Sequence, residues 1–297
     1  MFFVIIEIEN KGRRYRMKKI LSGFLALAMI MMLVGCNISA DTSFGSTYFY
    51  EDASSYTMGG ATLTEDINEI DVNWVSGKVT VQYHDGEGIL ISEDSDVELG
   101  EKNSLYYRVI GKTLKIQYAK SGVWTTIDFN KELTISLPKG TEADPERAYS
   151  LSFDTVSADV DIREVYTKKC EFENVSGNIR ATLLGTVASV DAETVSGNIS
   201  LSVGDLASFD IESVSGNVTM MGGNIREGKF DSVSGDFLLE LPPNNGYTVE
   251  FESVSGDIDL FGEMVSKEGD CYTVGDGTRH YEIETVSGNV KIAIYKI

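Results

Sequence analysis

Phe209-Asp210-Ile211-Glu212-Ser213-Val214-Ser215-Gly216-Asn217-Val218-Thr219-Met220 is the stretch on which the fold turns. Phe209 and Ile211 follow one period-two phase, while Val214, Gly216, Val218 and Met220 follow the other. Two phases that meet near Ser213-Val214 predict two short strands joined by a bend or bulge. The word at the junction is written eight times: Val75-Ser76-Gly77-Lys78, Val156-Ser157-Ala158-Asp159, Val175-Ser176-Gly177-Asn178, Val195-Ser196-Gly197-Asn198, Val214-Ser215-Gly216-Asn217, Val233-Ser234-Gly235-Asp236, Val254-Ser255-Gly256-Asp257 and Val286-Ser287-Gly288-Asn289. Successive serines are 81, 19, 20, 19, 19, 21 and 32 residues apart. Strands this short, repeated about every 20 residues with no room for crossover helices, predict an all-β, β-solenoid-like fold in which each coil stacks on the last. An antiparallel β-sandwich is the alternative, since it also uses many short strands at regular spacing.

Outward from the repeat, the chain divides by composition. From Met17, a basic start (Lys18, Lys19) leads into an apolar run and then Leu33-Val34-Gly35-Cys36. This pattern resembles a bacterial lipoprotein signal peptide over residues 17–36, and the resemblance implies that Cys36 carries the lipid. Residues 1–16 precede an already complete signal, so Met17 is the expected true start. Residues 37–61, rich in Ser, Thr, Gly and Tyr, read as a flexible tether. Residues 62–140 hold strand-like runs at 67–72, 78–82, 105–118 and 133–137 and are expected to form irregular first coils or a cap. Residues 141–297 are then the regular repeat block.

The Val-Ser-Gly-Asn/Asp words, the segment Leu133-Thr134-Ile135-Ser136-Leu137-Pro138 and the closing Ile283-Glu284-Thr285-Val286-Ser287-Gly288-Asn289-Val290 together resemble the bacterial "putative adhesin" family of unknown-function domains. The likeness covers roughly residues 65 to 297. It implies a solenoid-like β fold on membrane-anchored envelope proteins, often linked to envelope stress. Ala158, where the word lacks glycine, and an insertion around residues 262–280 depart from the pattern.

The 297 residues carry 25 Lys+Arg against 46 Asp+Glu, a formal charge of −21. Loss of residues 1–36 would remove six basic and two acidic side chains, deepening the charge to −25. Nucleic acid is excluded as a partner, because phosphate binding needs a basic face. With two histidines, His84 and His280, eight serines cannot each have a general base, so a serine-nucleophile reading fails. The expected role of Ser76, Gly77, Ser157, Ser176, Gly177, Ser196, Gly197, Ser215, Gly216, Ser234, Gly235, Ser255, Gly256, Ser287 and Gly288 is therefore structural: glycine for a close-packed bend and serine for bonds to local backbone.

Three residues before each serine stand Asn73, Asp154, Glu173, Glu193, Glu212, Asp231, Glu252 and Glu284. In-register stacking would make them a ladder of like charges one strand spacing apart, which is destabilising unless relieved. Solvent and salt offer one relief. Weakly bound Ca²⁺ at Glu173, Glu193, Glu212, Asp231, Glu252 and Glu284 offers the sharper one; no other cofactor is implied. Cys170 and Cys271, placed in coils about four rungs apart, are expected to be free thiols. The reading is a non-enzymatic, lipid-anchored extracytoplasmic β-repeat protein. It would be held to the cell membrane through Cys36 and meet an envelope protein or glycan as adhesin or stress-associated scaffold. The alternative is a carbohydrate-active β-helix enzyme acting on envelope glycan, with Glu263, Glu268, Asp270 and Asp276 of the insertion as its non-repeat acids.

Overall fold

The computed structural model describes residues 45–126, 129–140, 148–243 and 246–294. The signal-like segment, Cys36 and residues 37–44 of the expected tether lie outside the described residues; the rest of that stretch is not a tether but folded, because Gly45–Thr47 pairs with Trp124–Thr126 and Thr57–Met58 with Tyr106–Ile110. Among the described residues no helix is long and apolar enough to cross a membrane. They form strands throughout, apart from one 3-10 turn at Ala53–Ser55.

Each word is a corner between an approach strand and an exit strand, and parallel pairing stacks the corners into rungs. Among the described residues there are nine. Rung 1 has no word: Thr113–Gln117 approaches and Lys131–Pro138 exits. Rung 2 is Glu69–Trp74 with Lys78–His84, and its strands pair in parallel with both strands of rung 1. Tyr149–Thr155 begins rung 3, lying directly on Glu69–Trp74 despite the long sequence gap. Asp159–Asn174, Ile179–Thr194, Ile199–Ser213 and Val218–Ser232 are long strands, each of which exits one rung and approaches the next. They carry the stack through rungs 4, 5, 6 and 7 in parallel, with register shifts between Ile162 and Val165, Tyr166 and Lys169, and Leu183 and Thr186.

The order, in which rung 1 already follows rung 2 along the chain, departs from sequence again. Rung 7 ends on Phe237–Leu241, and the strands that cover it are Arg279–Thr285 and Val290–Ile294, the last repeat of the chain. Tyr247–Ser253 and Ile258–Leu260 lie beyond them as rung 9. The expectation that each coil stacks on the last thus holds through the sixth word (Val233) and fails for the final two, which exchange places. The 32-residue step supplies the length: Met264–Glu268 and Cys271–Val274 form an antiparallel hairpin on the approach face of rung 9, and the chain returns from it into the gap below.

The word works through contacts between rungs. A Cβ on Gly216 would lie 1.9 Å from the Gly197 carbonyl oxygen. The same clash recurs for Gly177, Gly197, Gly235, Gly288 and Gly256 against the rung beneath. These glycines are required by close approach, not by backbone angle. Gly77 alone among the word glycines has positive φ, +89°. Its turned carbonyl accepts the Asp159 N–H at 3.0 Å, and in that altered rung Ala158 is accommodated, fully buried. Each serine hydroxyl donates to the valine carbonyl of the rung beneath, as Ser157 to Val75 (3.1 Å), Ser215 to Val195 (3.1 Å) and Ser255 to Val286 (3.2 Å). Rung 1 offers a side chain instead, and Ser76 meets the Tyr118 hydroxyl at 3.0 Å.

Apolar columns fill the space between the two faces. Phe153 stacks on Phe172 with centroids 5.5 Å apart, and Phe230 on Phe237 at 4.6 Å. Rung 1 is closed by an exception, the fully buried Lys131. Its Nζ lies 2.8 Å from Glu93, donates to the Tyr118 carbonyl at 2.6 Å, and sits over the Trp74 and Tyr118 rings. Cys170 is buried within the core and Cys271 lies in the capping hairpin, not in a coil as the repeat spacing suggested; both thiols are free.

Candidate functional site

The acids three positions before the serines do form one column on the approach face, where alternation turns them away from the core. Its spatial order is Asn73, Asp154, Glu173, Glu193, Glu212, Asp231, Glu284, Glu252, each in direct register with the next. A second column runs beside it through Asp71, Ser152, Glu171, Asp191, Asp210, Lys229, Glu282 and Glu250. The face is a broad acidic sheet seven carboxylates long at its main column.

The column is less exposed than an edge ladder. Asp231 and Glu284 are buried, and Asp154, Glu193, Glu212 and Glu252 are half-buried. Burial and the neighbouring Glu173 push the Asp154 carboxyl up to about 6. Burial, then Glu212 and Glu173, push Glu193 up to about 7. Glu284 is likewise pushed up to about 7 by burial and by Asp231 and Glu252. Relief of the repulsion is therefore partly internal: several carboxyls hold their protons into the neutral range. Lysines supply the rest. Lys115 pairs with Asp71, Lys169 bridges Glu171 (3.3 Å) and Asp191 (3.2 Å), and Lys229 binds Asp231 at 2.5 Å. Among the described residues no group of three or more acidic, His or Cys side chains is placed to hold a metal ion, so the Ca²⁺ expectation finds no preformed ligand set there.

Two further columns stand at the corners, the first of which escaped the sequence reading. One residue before each valine, Thr155, Asn174, Thr194, Ser213, Ser232 and Thr285 form a buried polar column. Thr194, Ser232 and Thr285 accept the N–H of the glycine three residues on, at 3.0, 2.7 and 2.8 Å. The signal was present, since a small polar residue precedes the word in every repeat but that of Trp74. The second is the Asn/Asp position of the word: Asn178 N–H donates to Asp159, Asn198 to Asn178, Asn217 to Asn198, Asp236 to Asn217, Asn289 to Asp236 and Asp257 to Asn289, at 2.7–3.3 Å. Serine, glycine and asparagine are thus all committed to the corner. His84 bridges its own loop, its ring nitrogens meeting the Gly88 carbonyl (3.0 Å) and the Gly86 N–H (3.2 Å), and His280 is exposed within Arg279–Thr285. The insertion acids lie on or beside the capping hairpin, with Asp276 holding Thr278 at 3.0 Å.

Comparison with known proteins places this architecture. The family model Toastrack DUF4097 matches residues 65–293. Among solved structures, a putative adhesin from Parabacteroides distasonis ATCC 8503 is 15% identical with a TM-score of 0.42, over 80% of this chain and 96% of that one. A putative adhesin from Bacteroides fragilis NCTC 9343 is 13% identical with a TM-score of 0.39, over 80% and 96%. A putative lipid binding protein, also from Parabacteroides distasonis ATCC 8503, is 15% identical with a TM-score of 0.37, over 82% and 97%. No curated protein matches the chain.

Proposed function

This chain belongs to the Toastrack DUF4097 family, and from that footing we propose that it is a non-enzymatic, lipid-anchored scaffold on the extracytoplasmic face of the membrane. It presents a rigid acidic β face to basic or cation-coated components of the cell envelope. The observation that carries this reading is the in-register acidic column from Asp154 to Glu252. A charge pattern repeated rung after rung suits an extended, polyvalent surface, whereas catalysis needs one unique constellation. Anchoring rests on the lipoprotein-like signal that ends at Cys36, and the short stretch from there to the first strand at Gly45 would set the reach of the face from the membrane. A partner bound along several rungs would gain avidity from many weak contacts.

The test is sedimentation of the mature chain with purified cell-wall sacculi, with and without millimolar Ca²⁺, scoring bound protein and released sugar. Saturable binding without sugar release, weakened by salt, supports the scaffold. Released fragments would replace it with an enzyme, and no binding in any condition would remove wall polymer as the partner class.

A further inference from the structure

The two ends of the stack are finished differently. At the first rung both faces are covered by antiparallel strands: Tyr106–Ile110 lies on Thr113–Gln117, and Ile89–Ser95 lies on Lys131–Pro138, itself followed by Ala61–Leu63. At the ninth rung the hairpin covers only the approach face. Among the described residues, nothing pairs with the outer edge of the exit strand Ile258–Leu260.

The repeat shows what that edge lacks. In every rung from the fourth to the eighth, the first exit residue donates its N–H to the word's Asn/Asp carbonyl in the rung above: Ile179 to Asn198, Ile199 to Asn217, Val218 to Asp236, Phe237 to Asn289 and Val290 to Asp257, all at 2.9 Å. Ile258 is the next in that series, and among the described residues no rung follows. Each Asn/Asp side chain likewise accepts an N–H from the rung above, up to Asn289, which receives Asp257; the Asp257 carboxylate is the next acceptor. Each word valine's carbonyl receives the next serine, up to Val286 from Ser255, and Val254 is next. One donor and two acceptors thus face outward in repeat geometry.

Apolar surface accompanies them. Val254, Phe261, Met264 and Val265 are 62%, 57%, 52% and 64% exposed. Ile258 and Leu260 are half-buried where their counterparts Val290 and Ile292 are fully buried. A groove of about 450 Å³ crosses the exit strands of rungs 6 to 9 to reach this edge, past Asn217, Asp236, Asn289 and Asp257. An open edge bordered by apolar side chains is the setting in which proteins accept an added strand.

We infer that the exit edge of rung 9 binds an extended segment of a basic partner polypeptide as a tenth rung, parallel to Ile258–Leu260. The partner's carbonyl takes the Ile258 N–H, its own N–H groups reach Asp257 and Val254, and its apolar side chains cover Ile258 and Leu260. Basic residues on its other phase meet Asp257 and Glu263, Asp259 being already paired with Lys291 at 2.8 Å. Charge selects this occupant over a second copy, since the chain itself carries −21 and like-charged ends repel. Head-to-tail stacking of copies is closed off as well, because the covered first rung offers no matching edge. The inference stands apart from the acidic face and holds whether or not sacculi bind.

The full chain, purified in detergent, is titrated with the blocked peptide Ser-Gly-Lys-Val-Lys-Val, with its Ser-Gly-Glu-Val-Glu-Val counterpart, and with the Lys peptide N-methylated at alternate residues. The expected result is saturable binding of the Lys peptide, at least tenfold weaker binding of the other two, and slowed hydrogen exchange at Ile258 and Leu260. Asp257→Lys, at an exposed side chain, should keep the melting temperature and abolish the Lys-over-Glu preference. No saturable binding, equal binding of the N-methylated peptide, or self-association of the chain through this edge that excludes the peptide would each overturn the inference.

Discussion

The Ser287 hydroxyl lies 3.2 Å from the Val233 carbonyl, which makes the last repeat of the chain the direct neighbour of its sixth. The seventh repeat, between them in sequence, is outside them in space, with Ser255 donating to Val286.

This order can be read by cross-linking. Adjacent rungs put matched Cα atoms about one strand spacing apart, within disulfide reach, and alternate rungs about twice that, beyond it. In a chain carrying Cys36→Ser and Cys271→Ser, the pair Asp236→Cys and Asn289→Cys should oxidise to an intramolecular disulfide. The pair Asp236→Cys and Asp257→Cys, which stacking in sequence order would join, should stay reduced. Mass spectrometry of tryptic fragments distinguishes the two.

Gly216→Ala should cost roughly 2–4 kcal/mol, because the new methyl meets a backbone carbonyl of the rung beneath and only rung separation relieves it. Ala158→Gly, in the one rung that tolerates a side chain, should cost under about 1 kcal/mol, mostly as unfolded-state entropy. Urea denaturation of the two variants beside the parent measures both.

Stability should rise as pH falls from about 7.5 to about 5. Asp154, Glu193 and Glu284 are pushed up to about 6, 7 and 7 by burial and by each other's neighbours, above ordinary carboxyls near 4. Across that window the folded chain therefore binds more protons than the unfolded chain, and acid favours folding. Acids held low by lysine, such as Asp161 beside Lys78, act in the opposite sense only below about pH 4. Melting temperature should be higher at pH 5 than at pH 7.5, and Glu193→Gln should raise it at pH 7.5 and shrink the difference.

Lys131→Ala should destabilise by about 3–5 kcal/mol, since it strands Glu93 in the end of the core. Lys131→Met with Glu93→Gln should lose less, as both charges leave together and the stem volume stays. Burial pushes the Lys131 amine down to about 8 against the pull of Glu93. Between about pH 8 and 10.5 the unfolded chain then holds the extra proton, so this group makes parental stability rise with pH across that window. Thermal melts of the parent and both variants over that range test the assignment.

Much of this was legible in the sequence because a parallel stack copies each residue onto its equivalent. The steps of 19–21 between Ser157 and Ser255 gave the coil length, and the acids before them gave the column. Rung 1 was legible only as an irregular first coil or cap, because the Lys131 main chain and the Tyr118 hydroxyl do there what a word does elsewhere. The exchange of the last two rungs was hidden for another reason. The 32-residue step shows that chain has been inserted, but side-chain pattern is the same for a strand added outside rung 9 and one slipped beneath it. The half-burial of the acids also depends on packing across rungs, which no single repeat displays.

The displaced final repeat bears on how the molecule is made. A chain emerging from its N-terminus has every strand of rungs 1 to 7 in hand by Leu241, rung 2 ahead of rung 1, but residues 247–260 arrive before the strands they must rest on. Only when residues 279–294 follow can the open end close, so this segment works as a wedge that commits the far end in one step. A nascent or truncated chain lacking it would expose the edge of Phe237–Leu241, a longer and more apolar strand than the one the finished molecule leaves open.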